Sequence, residues 1–204
     1  MSWKRNVITE AKKLIEMYPE KRSALGPLLY LALREDGYIS NDSIKQISEL
    51  IGITEAQVQS VSTFYSMYKQ DSVGKYLISV CKSVSCEISG SSSVIKELME
   101  ATNLNHLETD DEKIFTIEKV ECIGACGGAP AVQVNYETIE GVEEGQISDL
   151  CTWLKENQPE VVNSDELQER FGGRKSFDWA IEDKLGTTGP YPGFQNYNTV
   201  GEKS

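Results

Sequence analysis

Four of the five cysteines stand in two close pairs, Cys81 and Cys86 with four residues between them, Cys122 and Cys126 with three, and 35 residues separate the pairs. Two short loops, each delivering two thiolates, can close around one compact metal centre when a fold brings them together. Soft sulfur ligands select zinc or iron-sulfur. The first pair follows the apolar run Tyr76–Val80, so its ligands sit where a buried strand should end. The second lies in a stretch from Glu121 to Pro130 that also holds Gly124, Gly127 and Gly128. Glycines let such a loop fold tightly and turn N–H groups toward sulfur. Hydrogen bonds of that kind tune the potential of an iron-sulfur centre.

Spacing alone leaves zinc open, because its knuckles run from C-x2-C to C-x4-C and fit both pairs loosely. Four thiolates around two ferric ions and two sulfides carry a formal charge of about −2, which an amide-rich loop suits, so the glycines favour iron-sulfur. A Rieske centre would need two histidines, and the chain has only His106. A redox dithiol would want C-x-x-C, which is absent. Cys151 recurs with apolar neighbours at helix spacing and reads as core. His106 precedes the acidic run Glu108, Asp110, Asp111 and Glu112 and reads as a solvated surface residue beside a hairpin.

Two kinds of pattern position these residues. Residues 1–70 carry helical periodicity only, which predicts an all-helical bundle of four helices. Ile8, Ala11, Leu14, Ile15 and Tyr18 share one face before Pro19; Ala24 to Arg34 is apolar enough to be buried and stops at Gly37. Ser40 or Asn41 caps a third helix ending at Gly52, and Thr54 opens a fourth through Val58, Val61, Phe64 and Tyr65. The last two could be a helix-turn-helix, but Glu55, Gln57, Gln59 and Ser60 offer no positive charge to DNA, so a packing unit is the better reading.

Residues 71–156 predict strands at Tyr76–Val80, Ile114–Val120, Ala131–Asn135 and Tyr136–Val142. One helix should run through Val94, Leu98 and Leu104, capped by Ser91 to Ser93, and a last one should begin near Ser148 with Leu150, Cys151 and Leu154 inward. The fold class is α+β, a helical bundle followed by a helix-backed mixed sheet, with an extended C-terminal tail. Residues 157–204 are polar and rich in glycine and proline, and cannot make a core of their own. Phe171, Phe177, Trp179, Tyr191, Phe194 and Tyr197 dot this tail, a pattern that suits anchors for a partner, with plain disorder as the alternative.

The N-terminus has no apolar stretch of a signal peptide and no run approaches the roughly 18 apolar residues of a membrane span, so a reducing cytosol and no direct membrane insertion are expected. There, thiol clusters are more often metal-binding than disulfide-bonded. A net charge of −12, from 20 basic and 32 acidic residues, disfavours nucleic acid and anionic lipid.

Taken together, Ser23 to Leu29, Val61 to Tyr65, Gly74-Lys75 before the first strand, and Glu121 to Cys126 running into Ala129-Pro130 resemble the thioredoxin-like [2Fe-2S] ferredoxin subunit of bacterial respiratory complex I, the NuoE type. The likeness spans about residues 20–155. It implies a thioredoxin-like domain in which Cys81, Cys86, Cys122 and Cys126 bind one [2Fe-2S] cluster. It also implies a hetero-oligomer, an NADH:quinone oxidoreductase, with a flavoprotein carrying FMN and NAD(H) and a large iron-sulfur subunit of the peripheral arm. That complex would sit on the cytoplasmic face of the inner membrane. The chain itself has no G-x-G-x-x-G after a strand and no phosphate loop, hence no complete active site. Equivalent subunits of NAD-linked hydrogenases and formate dehydrogenases share the motif, and a structural zinc module is the non-enzymatic alternative. The tail departs from the family pattern and is expected to strap onto a neighbouring subunit.

Overall fold

The structure is a computed structural model that describes residues 3–177 and 186–191. The chain divides into two compact units between Ser72 and Val73.

The first unit is made of helices α1 (Arg5–Glu16), α2 (Leu25–Asp36), α3 (Asn41–Ile51) and α4 (Glu55–Phe64), with a 3₁₀ turn at Lys21–Ala24 leading into α2. Their ends follow local chemistry. The N–H of Ser43 donates to Ser40 Oγ at the start of α3. At α4, Thr54 and Gln57 form a capping box, Gln57 N–H to Thr54 Oγ1 at 3.3 Å and Thr54 N–H to Gln57 Oε1 at 3.0 Å. Gly37 and Gly52 stop α2 and α3 in the left-handed conformation, φ 79° and 74°. Val7, Ala11 and Ile15 from α1 meet a nearly all-apolar α2, and Ile44, Ile47, Ile51 and Val58 complete the buried set. Tyr65, expected within the fourth helix, is its extended C-cap instead.

The second unit is a four-stranded mixed sheet in the order β2-β1-β3-β4. Strands β1 (Tyr76–Cys81) and β2 (Phe115–Val120) are parallel; β3 (Ala131–Val134) runs antiparallel to β1, and β4 (Glu137–Glu140) antiparallel to β3. Every residue of β1 is buried, as a central strand requires. A parallel pair needs a crossover connection, here a short helix α5 (Val84–Ile88) followed by α6 (Ser91–Thr102). The chain closes with α7 (Gln146–Asn157) and α8 (Ser164–Phe171). Tyr76, Ile78, Val80, Phe115, Ile117, Val132 and Val134 pack with Val94 and Leu98 of α6 and with Ile147, Leu150, Cys151 and Leu154 of α7. The α+β class expected from the sequence is the one observed.

Three details differ from expectation. The serines Ser91 to Ser93 do not cap α6: its N-cap is Gly90, and Ser91 and Ser92 donate to the Glu87 carboxylate instead. Leu104 lies beyond that helix, which Asn103 ends at φ 55°. Nor is the segment after residue 156 separate from the sheet unit, because Val162, Leu167 and Phe171 enter its core. Asn163 caps α8 by accepting from Asp165 and Glu166 N–H, and the Phe171 ring lies 5.7 Å from that of Trp153. Of the tail's aromatics, Trp179, Phe194 and Tyr197 fall outside the described residues.

Candidate metal centre

Cys81 is the last residue of β1, directly opposite Val120, the last residue of the parallel strand β2. Pairing continues one step further, Lys82 N–H donating to Val120 O at 2.9 Å. Both cysteine loops therefore leave the same end of the sheet from neighbouring strands. The first turns into α5, which buries Cys86. The second passes Cys122, turns at Gly124 (φ 96°), runs through a 3₁₀ turn at Cys126–Gly128 and crosses the cis Ala129–Pro130 bond into β3. Since β3 lies antiparallel to β1 on its other side, three strand ends gather where the thiols stand.

Cys81 and Cys86 are buried together with Ala131, against Ile123, Ala125 and Ala129; Cys122 and Cys126 are exposed, their sulfurs 3.9 Å apart. The two loops touch. Burial raises the Cys81 thiol, but backbone N–H groups of Ile123 and Ser83, with the Cys86 thiol and the Ser83 hydroxyl, outweigh it and hold this thiol below the ordinary cysteine range. Cys86 moves the other way, to about 11, through burial and through the negative charge of Cys81 and Cys126, partly offset by an N–H from Ala131. Among the described residues no three His, Cys, Asp or Glu side chains gather as they would around a single ion. The thiols stand two and two.

The donor set is purely soft sulfur, the chemistry that selects zinc or iron-sulfur. The other candidates stay apart from it. Cys151 is buried in the helix-side core, as expected. His106 is exposed, its Nδ1 accepting from Lys119 N–H at 3.1 Å. The acidic run is a structured turn: Asp110 Oδ1 accepts from Ile114 N–H at 2.7 Å and Phe115 N–H at 3.1 Å.

The glycines act differently from expectation. Only Gly124 uses a left-handed backbone; Gly127 and Gly128 are instead tight against residues 174–176, with no room for a Cβ at Gly128. The amides that favour the charged form of the buried thiols are those of Ile123 and Ser83 for Cys81 and of Ala131 for Cys86. Sequence reasoning missed these, because any residue type supplies a backbone N–H.

Paired thiols at the joined ends of two parallel strands, each buried sulfur backed by amides, define a thiolate metal-centre protein on a helix-backed mixed sheet. The sequence model of the thioredoxin-like [2Fe-2S] ferredoxins matches residues 11–155. The chain belongs to that family. It is 34% identical over 152 residues to an NADH-quinone oxidoreductase subunit of Mycobacterium tuberculosis, covering 74% of this chain and 60% of the relative. The like-named NADH-quinone oxidoreductase subunit of Rickettsia prowazekii is 34% identical over 157 residues, 75% of this chain and 89% of that protein. NADH-quinone oxidoreductase subunit 2 of Thermus thermophilus is 35% identical over 136 residues, 66% and 75% of the two chains. Among solved structures, an NAD+-reducing [NiFe]-hydrogenase in the H2-reduced state shares the fold with a TM-score of 0.59 at 17% identity, over 72% of this chain and 25% of that one. No helix among the described residues is long and apolar enough to cross a membrane.

Proposed function

We propose that Cys81, Cys86, Cys122 and Cys126 bind one [2Fe-2S] cluster, and that the chain is an electron-transfer subunit of an NADH:quinone oxidoreductase. The observation that carries the ligand assignment is the packing of buried Cys81 and Cys86 against Ile123, Ala125 and Ala129 of the second cysteine loop. One preformed locus thereby contains both pairs. The cluster, when bound, supplies a one-electron store. The chain's own work is to keep four thiolates in two pairs, to direct amides at the buried sulfurs and to leave Cys122 and Cys126 at the surface, where a partner can approach.

The names of the three relatives support the parent complex. In this reading the cluster exchanges electrons with FMN on a partner flavoprotein that also binds NAD(H). The large iron-sulfur subunit lies beside it, and the assembly sits on the cytoplasmic face of the membrane. On α5, which carries Cys86, Val84 and Ile88 expose 75% and 82% of their surface, an apolar rim suited to such contact.

The test is to purify the protein without oxygen, quantify iron, sulfide and zinc, and record electron paramagnetic resonance before and after dithionite. About two irons and two sulfides per chain are expected, with a signal only in the reduced sample. Cys81→Ser or Cys126→Ser should lose or badly perturb that signal, whereas Cys151→Ser should leave it unchanged. A colourless protein with one zinc per chain would refute the redox function.

A further inference from the structure

The family match ends at residue 155, yet the chain continues into a segment that returns to the second cysteine loop. Gln168 of α8 is buried, and its amide group pairs with both backbone groups of Glu140 on β4: Glu140 N–H donates to Gln168 Oε1 at 2.7 Å and Gln168 Nε2 donates to Glu140 O at 3.0 Å. Past the helix the chain doubles back. Gln168 Nε2 also reaches Gly173 O at 3.2 Å, Gly173 N–H donates to Glu140 O at 2.9 Å, and Ser176 N–H donates to the Glu140 carboxylate.

What this segment covers is the cysteine loop itself. Gly141 N–H, next to Glu140, donates to Gly128 O at 2.6 Å, two residues from Cys126. A Cβ at Gly128 would fall 2.0 Å from the Glu140 carboxylate and 2.6 Å from Arg174 O. At Gly141 it would fall 2.5 Å from Arg174 N, and at Gly127 it would fall 3.0 Å from Ser176 Oγ. Three positions without side chains thus form a bed for residues 174–176, in close backbone contact with Arg174 at Gly128 and Gly141 and against the Ser176 side chain at Gly127.

We propose that residues 164–176 are a clamp that fixes the loop carrying Cys122 and Cys126, with Gln168 and Glu140 as its positioning residues. Through the loop, the clamp governs the potential and lifetime of the cluster. The inference rests on the ligand assignment above. A loop freed at Gly128 admits water around two sulfurs that are already exposed. Water stabilises the charge of the added electron, so the potential rises, and it also opens a path to iron loss.

The test uses the full chain carrying Gln168→Leu, Glu140→Ala or Glu140→Gln, the last keeping an oxygen to accept from Ser176 N–H. Leu98→Ala, in the core on α6, serves as the destabilised control. Hydrogen exchange at 122–128, reduced-state g-values, midpoint potential and iron loss to a chelator are compared. In Gln168→Leu and Glu140→Ala the loop amides should exchange, and iron should leave, about tenfold faster, since hydrogen bonds held in a buried lock are lost. The g-values should shift and the potential rise. Glu140→Gln should stay near the parent, and Leu98→Ala should lower the melting temperature with parental g-values and potential. Clamp variants matching Leu98→Ala in exchange, spectrum and iron loss would overturn the clamp. A parent chain without iron and sulfide would instead refute the ligand assignment, and the exchange data would still report whether the lock holds the loop.

Discussion

Cys81 and Cys151 are both buried, yet they are opposite kinds of thiol. Cys81 meets N–H donors from two loops, so its thiolate is favoured despite burial. Cys151 meets apolar side chains and the charge of Glu97, and its thiol is pushed up to about 12. Burial keeps this thiol protonated at pH 7, and the thiolate is the nucleophile. Iodoacetamide should therefore leave Cys151 unmodified in the folded, metal-free chain and label the exposed Cys122 and Cys126. Peptide mapping by mass spectrometry reads the outcome, and prompt labelling of Cys151 would contradict its placement. That the two cysteine pairs come to one end of the sheet was legible from the strand patterns before them, whereas their spacing alone left zinc and iron-sulfur both open. Ile123 and Ala131 were not legible, because their contribution is a backbone N–H whose direction only the fold decides.

Among the elements, those with strong local signals were readable and those that depend on neighbours were not. Thr54 and Ser40 cap α4 and α3 as their types suggest, since capping is settled within three residues. The serines Ser91 to Ser93 mislead because Glu87 captures the hydroxyls of the first two. Helix α8 was hidden by its composition: Leu167 and Phe171 are its only large apolar residues, too few to raise a periodic signal, and they count only because the sheet unit offers them a place. Strand β2 leaves no room beside it at Gly74, where a Cβ would lie 2.8 Å from Phe115 C and 2.9 Å from Ile114 O. Gly74→Ala should lower stability by about 2 kcal/mol in denaturant melts, as overpacking against immobile backbone does. In the helical unit, Arg34 holds Glu10 with two bonds of 2.8 and 2.7 Å, and the Glu10 carboxyl lies below its usual value of 4.5. A folded value below the unfolded one means that the pair stabilises above pH 4.5 and loses this as pH falls through the lowered value. Partial exposure limits the effect, so Glu10→Gln should cost about 0.5 kcal/mol at pH 7 and progressively less as pH falls through the lowered value, measured by unfolding of the metal-free chain.

For the molecule as a whole, the sequence showed where helices give way to a sheet but not where the sheet unit stops. The change of pattern near residue 156 marks a change in polarity, not the edge of the packed structure, for Val162, Leu167 and Phe171 lie in the same core as β1. Removing residues 157–204 should therefore cost on the order of 5 kcal/mol from the three lost burials, and thermal unfolding should show a markedly lower midpoint. An unchanged midpoint would mean that this segment is an appendage after all. The pairing of β1 with β2, Cys81 opposite Val120, reaches further than the finished molecule. On the ribosome the first two thiols emerge with 35 residues still to come before the others, when the neighbour of their strand has not yet been made. A nascent chain can offer metal only half a site until β2 arrives to align the second loop. On the proposed ligand assignment, cofactor delivery is thereby placed after the pairing of β1 with β2, and a loaded cluster certifies that these two strands had already met.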